Sequence, residues 1–196
     1  MTAPLNKAAL DQIFYEAHSA HAFKKSELSD AQIKEIYDLF KWAPTAFNAQ
    51  PTRLVFVRSG EAKAKLLPTL SPGNVPQVES AAVTVIVAYD TQFFNHLPVQ
   101  FPVYDAKPIF ENNPALTEEA AFRNSSMQGG YLITAVRALG FDCGAMSGFD
   151  AKAVNAAFFP DGHFKANFLL NIGVADPVGV YPRNPRLSFE DAAIVL

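Results

Sequence analysis

The residues that could do chemistry in this sequence are few and far apart. Its 196 residues contain no G-x-S-x-G elbow, G-x-x-x-x-G-K phosphate loop, G-x-G-x-x-G fingerprint or C-x-x-C pair, so the common signatures of nucleophilic, nucleotide and thiol-redox sites are missing. His18 and His21 stand close together, but no third ligand follows at metal-site spacing, and His96 and His163 are distant, which argues against a metal. The single cysteine, Cys143, lies beside Gly144 and reads as a small core residue rather than a nucleophile. When a bound cofactor carries the hard chemistry, the protein needs only cationic and hydroxyl groups for a phosphate, amide donors for a ring and a shaped pocket. A sparse motif profile is the expected signature of that arrangement.

Composition narrows the partners. With 49% hydrophobic and 18% charged residues, the chain is ordinary for one globular domain, expected over residues 1–196. A net charge of −3, with Lys and Arg scattered, leaves no electrostatic footprint for nucleic acid or an anionic membrane, so small molecules are the expected ligands. One cysteine cannot form an internal disulfide, and no secretory leader pattern opens the sequence, which together favour the cytoplasm. The longest apolar run, 81–88, is too short to cross a bilayer.

Periodicity supplies the elements that must position a site. Leu5, Ala9, Ile13 and Ala17 form one stripe of a first amphipathic helix after Pro4. Ser29 and Gln32 make a capping box for a second, carrying Ile33, Ile36, Tyr37 and Phe40 and stopped by Pro44. Strands are expected at 54–57, 83–87 and 167–172, with a weak helix at 61–67. From Tyr89 to Pro114 the pattern dissolves into prolines and aromatics, as in a lid or binding excursion. Thr117 is expected to cap a long buried helix ending at Gly140. Gly129 and Gly130 inside it cost about 1 kcal/mol each against alanine, so close packing should explain them. A glycine-broken stretch, 143–148, precedes a short helix capped by Asp150, and a proline-rich tail ends the chain. This interleaving without strict alternation predicts an α+β fold.

Several segments together resemble the FMN-dependent nitroreductase superfamily. Ala43-Pro44-Thr45-Ala46-Phe47-Asn48-Ala49-Gln50-Pro51 is similar to its A-P-S-x-x-N-x-Q-P segment, and Ser19-Ala20-His21-Ala22-Phe23 to the end of its R-x-S-x-K/R-x-F. Ala17 stands where that family usually has arginine and His21 where it has lysine or arginine, with His18 the nearest compensating group. Asn74 and Gln77 precede a strand at the spacing of the family's polar side chains on the flavin pyrimidine edge. Met146-Ser147-Gly148-Phe149-Asp150 resembles the P-I-x-G-F-D turn whose backbone faces flavin N5. Arg183 and Arg186 resemble the basic pair that closes over the phosphate, a task suited to planar guanidinium forks.

The resemblance implies a three-layer α/β/α fold with a mixed, mainly antiparallel sheet, and an intertwined homodimer sharing two FMN sites. Residues 44–48 would then reach the partner's flavin, while Ser19, Ser147 and the terminal arginines hold their own. It also implies NADH or NADPH as co-substrate and ping-pong hydride transfer through flavin N5. Trp42-Ala43-Pro44-Thr45, Phe122-Arg123-Asn124-Ser125-Ser126-Met127-Gln128, Met146-Ser147-Gly148-Phe149-Asp150 and Pro185-Arg186-Leu187-Ser188-Phe189-Glu190 look like the malonic semialdehyde reductase branch of pyrimidine degradation. A 3-oxoacid needs a cation for its carboxylate, with Arg123 and Lys107 as candidates, each equally readable as a surface charge. Rival readings are a broad nitroreductase or quinone reductase, an FMN-binding module without turnover, and a partner-binding protein using the aromatic loop.

Overall fold

The computed structural model describes residues 3–196. Its sheet is built around β5 (Phe164–Ala175), which pairs antiparallel with β3 (Val83–Asp90) along one edge and with β4 (Asp142–Met146) along the other. β1 (Phe23–Lys24) joins the end of β5 through Phe23 and Ala175, and β2 (Thr52–Val57) pairs with β3. The ladders are antiparallel, and one parallel bridge, Ser19 to Cys143, makes the sheet mixed. Among the described residues β3 is the one ladder partner of β2, which makes β2 an edge strand.

Alternation along β3 decides the layers, because successive strand side chains point to opposite faces. Val83, Val85 and Val87 pack with Leu170 and Ile172 beneath α2 (Asp30–Phe40) and the long helix, through Ile36, Phe40, Leu132 and Val136. Ile86, Ala88 and Leu169 face the other way, toward Leu66 of α3 (Gly60–Leu66), Val78 of α4 (Val75–Ser80) and Val154 of α8 (Ala151–Phe158). β3 is therefore buried along its whole length, which explains its unbroken apolar run. Each such side chain contributes about 1.5–3 kcal/mol on leaving water. The polar members of β3 are met inside the protein: Thr84 donates to Asn171 Oδ1 at 2.7 Å on the neighbouring strand, and Asp90 at the strand's end accepts from Arg53 at 2.6 Å.

The capping box at Ser29 and Gln32 is present, and Asp150 accepts from the backbone of Lys152 and Ala153. Other expectations need correction. The first helix is only α1 (Lys7–Leu10) followed by a wide π turn at Asp11–Tyr15; Ala9, Ile13 and Ala17 of the expected stripe are half-buried, while Leu5, Phe14 and Tyr15 are exposed. The long helix α7 (Pro114–Ala138) is capped by Asn113, which accepts from Leu116, with Pro114 suited to its first turn. Thr117 lies one turn inside, its hydroxyl donating to Phe110 O at 2.6 Å. The 89–114 excursion is not featureless: it holds a 3₁₀ turn at Phe93–His96, then α5 (Leu97–Gln100) and α6 (Lys107–Glu111), packed around Phe93, Leu97 and Phe110. The glycine-broken stretch is largely strand β4. The tail holds a 3₁₀ turn at Pro177–Gly179 and α9 (Phe189–Ala192), with no regular element assigned between them. Among the described residues no helix is long and apolar enough to cross a membrane.

Two adjacent glycines of α7 give opposite expectations. A Cβ at Gly129 would lie 2.5 Å from the ring of Phe168, whereas one at Gly130 meets nothing within 4 Å. Overpacking typically costs about 1–3 kcal/mol, more than the ~1 kcal/mol that alanine gains in a helix. Urea unfolding should show Gly129→Ala destabilised by about 1 kcal/mol and Gly130→Ala stabilised by about as much; a loss at Gly130 would mean that another chain packs there. Burial pushes the Cys143 thiol up to about 11, only partly opposed by nearby Arg137. At pH 8 the thiol therefore stays protonated, and iodoacetamide should label Cys143 in urea but leave it unmodified in the folded protein.

Candidate functional site

The cleft that gathers the cationic candidates exists because two backbones come unusually close. Residues 19–22 run against β4, where Ala20 N donates to Cys143 O at 3.0 Å, and against the tail, where His21 N donates to Gly179 O at 3.0 Å. A Cβ at Gly144 would lie 2.2 Å from Ala20 O, and one at Gly179 would lie 2.2 Å from Ala22 N. No side chain fits at either position, so these glycines are steric requirements of the site.

The resulting cleft encloses about 690 Å³ and is lined by His18, Ser19, His21, Arg183 and Arg186 with Arg137, and, among the described residues, by no carboxylate. Arg183 Nη2 donates to Tyr15 O at 2.7 Å and to Ala17 O at 2.8 Å. The tail thus places a guanidinium against the backbone of Tyr15 and Ala17. Arg186 Nη1 bonds Asn184 O at 2.8 Å. His18 Nδ1 lies 3.1 Å from Tyr181 O, and the His21 ring is tilted against Tyr181 at 5.2 Å. Arg137 was not among the sequence candidates. Its Nη1 donates to Ile13 O at 3.2 Å, while its buried Nε has no partner. The available signal was a cation near the end of α7, where helix carbonyls favour one.

A second group forms where β4 ends. Gly148 O accepts from Ser71 N at 2.9 Å and from Asn74 Nδ2 at 2.8 Å, and Gln77 Nε2 reaches Asn74 Oδ1 at 3.3 Å. Asn74, Gln77 and Gly148 are therefore brought together, with Met146 and exposed Ser147 just upstream on the same turn. A Cβ at Gly148 would lie 2.5 Å from Asn74 Nδ2, so the glycine makes room for that amide.

Pro44, Thr45 and Asn48 belong to a third group. Phe47, Asn48 and Gln50 have φ of 55°, 47° and 43°, a left-handed conformation that costs L-residues about 1–2 kcal/mol each. The loop is held by Ala46 N donating to Asn124 Oδ1 at 2.8 Å, Gln50 N to Thr45 Oγ1 at 3.1 Å and Asn48 Nδ2 to Gln100 O at 2.9 Å. Phe47 packs edge-on against Phe101 and Phe110. The two bonds that leave the loop run to α7 and to the excursion, and neither reaches the cationic cleft. Asn124, buried at 5% exposure, is the brace that sequence reading did not single out.

Arg123 and Lys107 stand outside the cleft. Arg123 is ion-paired with Glu119 one turn away and exposed, and Lys107 lies 3.4 Å from Glu111. A larger groove of about 850 Å³ follows α2 and the open edge of β2, past Leu54 and Phe56. At its end Asp90, 1% exposed, meets Arg53 at 2.6 Å and His163 at 2.9 Å. Among the described residues no cluster of three or more metal-ligating side chains is found.

A sequence profile of the nitroreductase family matches residues 15–173. A protein of Polynucleobacter asymbioticus, provisionally named NADH dehydrogenase/NAD(P)H nitroreductase, is 51% identical over 196 residues, covering all of both chains. One of the same name from Rhodopseudomonas palustris is 53% identical over 196 residues, again with full coverage of both. Among solved structures, a nitroreductase of Exiguobacterium sibiricum in complex with FMN superposes with a TM-score of 0.86 at 22% identity, covering 100% of each chain. A Bacillus subtilis nitroreductase gives 0.86 at 23% identity, covering 97% of this chain and 100% of that one. The layered, mainly antiparallel α+β architecture is the one those structures share, and the chain belongs to the nitroreductase family.

Proposed function

We propose that this chain is an FMN-dependent NAD(P)H oxidoreductase that acts as an intertwined homodimer and reduces malonic semialdehyde to 3-hydroxypropionate. The observation that carries the reading is a cleft without carboxylates and a glycine turn at opposite ends of one short strand. Ser19 bridges Cys143 near the start of β4, and Ser147 and Gly148 follow its last residue. At about 3.3 Å per residue, Cys143 and Ser147 are roughly 13 Å apart. A ligand with an anion at one end and a flat ring at the other, joined by a sugar-alcohol chain, matches that division.

The donor set fits FMN. The Ser19 hydroxyl, His18, His21, Arg183 and Arg186 would hold the phosphate, since forked guanidinium groups bond phosphate oxygens well. Asn74 and Gln77 would offer amides to the pyrimidine edge, with Asn74 fixed in place by its bond to Gly148 O. Met146, Ser147 and Gly148 would shape the face where hydride moves. Pro44, Thr45 and Asn48, held away from the cleft in their own chain, would complete the site of a second copy. Bound FMN supplies a two-electron hydride carrier that lets NAD(P)H and the acceptor use one pocket in turn. In the net reaction a nicotinamide C–H bond breaks, its electron pair forms a C–H bond at the carbonyl carbon, and the oxygen takes a proton from solvent.

Support for the dimer comes from surface that one chain leaves uncovered. Phe122, Met127 and Tyr131 are exposed on α7, Phe14 and Tyr15 near the start, and Ile194, Val195 and Leu196 on the tail. Such apolar area and an open strand edge mark an interaction surface. Arg123, on the exposed face of α7, remains our candidate for the acceptor carboxylate, which would have to displace Glu119. The names of the relatives favour a second reading, a nitroaromatic or quinone acceptor.

Anaerobic visible spectra of the FMN-loaded protein test the sequence of events. NADH or NADPH should bleach the flavin band, and malonic semialdehyde should restore it faster than a nitroaromatic or a quinone; the reverse order would assign the second reading, and unbleached flavin would leave a binding module without turnover. Sedimentation should give a two-chain species, and a monomer that binds FMN tightly would overturn the shared site. Gly148→Ala should weaken FMN binding about tenfold by displacing the Asn74 amide, the equivalent of one hydrogen bond of ~1.4 kcal/mol, measured by quenching of flavin fluorescence.

A further inference from the structure

Histidine is the side chain whose ordinary titration falls between pH 5 and 8, and two of them line the cationic cleft. Arg137, Arg183 and Arg186 are its fixed cations, Tyr181 its phenol, and it contains no carboxylate. Outside it, Glu16 and Asp142 share an adjoining depression with Ala17 and His18, where Asp142 accepts from Ala175 N at 2.8 Å; Asp176, whose N–H donates to Ala22 O at 3.0 Å beside His21, accepts on its carboxylate from Val178 N at 3.1 Å. Tyr181 O can only accept, so the hydrogen between it and His18 sits on Nδ1, leaving Nε2 to gain or lose a proton. The exposed His21 ring has only its packing on Tyr181.

We propose that His21, with His18, makes this cleft a proton-dependent grip on a phosphate monoester, so that the protein holds FMN more tightly at mildly acidic than at alkaline pH. The inference rests on the flavin reading above. Protonation turns each ring into a second N–H donor and a cation with no carboxylate in the cleft to neutralise it. Loss of those protons leaves the arginines as the cations of the cleft. A lysine or arginine at position 21 would hold its charge throughout this range.

Apo-protein titrated with FMN from pH 6.5 to 8.5 tests it, because a phosphate monoester stays mainly dianionic there and its own titration does not mimic the effect. FMN affinity should fall roughly tenfold across the range, as expected for losing one charge-assisted hydrogen bond, with riboflavin, which lacks the phosphate, showing no slope. His21→Lys should bind FMN at pH 8.5 as tightly as the unaltered protein does at pH 6.5 and lose most of the slope. An equal slope for riboflavin, or one that survives both His21→Lys and the His18→Lys/His21→Lys double variant, would overturn the proposal. FMN bound with equal affinity at every pH would overturn it while leaving the cofactor standing. No FMN uptake at any pH would overturn the cofactor and the grip together.

Discussion

The cationic cleft depends on one close approach: the backbone of residues 19–22 wedged between β4 and the turn at 179. Hydrogen bonds on both sides fix it, but the determining term is steric exclusion, since a Cβ at Gly144 or Gly179 would stand 2.2 Å from backbone atoms that cannot move aside. A flexible side chain end can yield by a rotamer change, whereas a strand backbone bonded along its length cannot. The wall of the cleft therefore inherits the rigidity of the central ladder, with β5 carrying β4 on one edge and β3 on the other. A binding surface anchored this way keeps its polar groups in place before a ligand arrives.

Cations gathered in one cleft repel one another, and the fold manages this with carbonyls rather than carboxylates. Arg183 lies on Tyr15 O and Ala17 O, Arg186 on Asn184 O and Arg137 on Ile13 O. Carbonyl oxygens orient a guanidinium without neutralising it, so the charge stays available to an anion. The rest of the surface is different. Lys34 and Lys41 share Asp38, Lys165 pairs with Glu118, and Arg53 with buried Asp90. A carboxylate in the cleft would have strengthened the apo fold locally and cost anion affinity.

How much could be read from the sequence follows the range of the forces involved. The Ser29 box, the Asp150 cap and the runs that became β2, β3 and β5 are set by neighbours within a few residues, and they were legible. β4 was not, because Gly144 weakens any strand pattern and its reason, Ala20 O, lies more than a hundred positions away in the chain. Thr117 attracted the cap assignment by residue type alone, while the pairing of Asn113 with Pro114 decided it. Family resemblance nominated His18, Ser19, His21, Arg183 and Arg186, which the fold gathers along one cleft, but not the contact of Arg183 with the backbone of Tyr15 and Ala17. Arg137, Asn124 and Asp90 gave no periodic signal, since each works through a long-range contact with a backbone or a buried charge.

The loop at 44–50 brings these threads together. Three consecutive or near-consecutive residues in left-handed conformation store strain that the chain must over-determine to keep, and it does so with Asn124, Gln100 and an aromatic cluster of Phe47, Phe101 and Phe110. Within its own chain that shape buries Ala49 and seats Phe47 among the aromatic rings, while Asn48 is exposed and its bond leads away from the cleft. In the homodimer proposed above, the exposed part of the loop and the uncovered faces of α7 and the tail would meet a second copy. The excursion that a sequence reading treats as loop would then have a structural task, to hold one chain's strained loop rigid for the other chain's ligand.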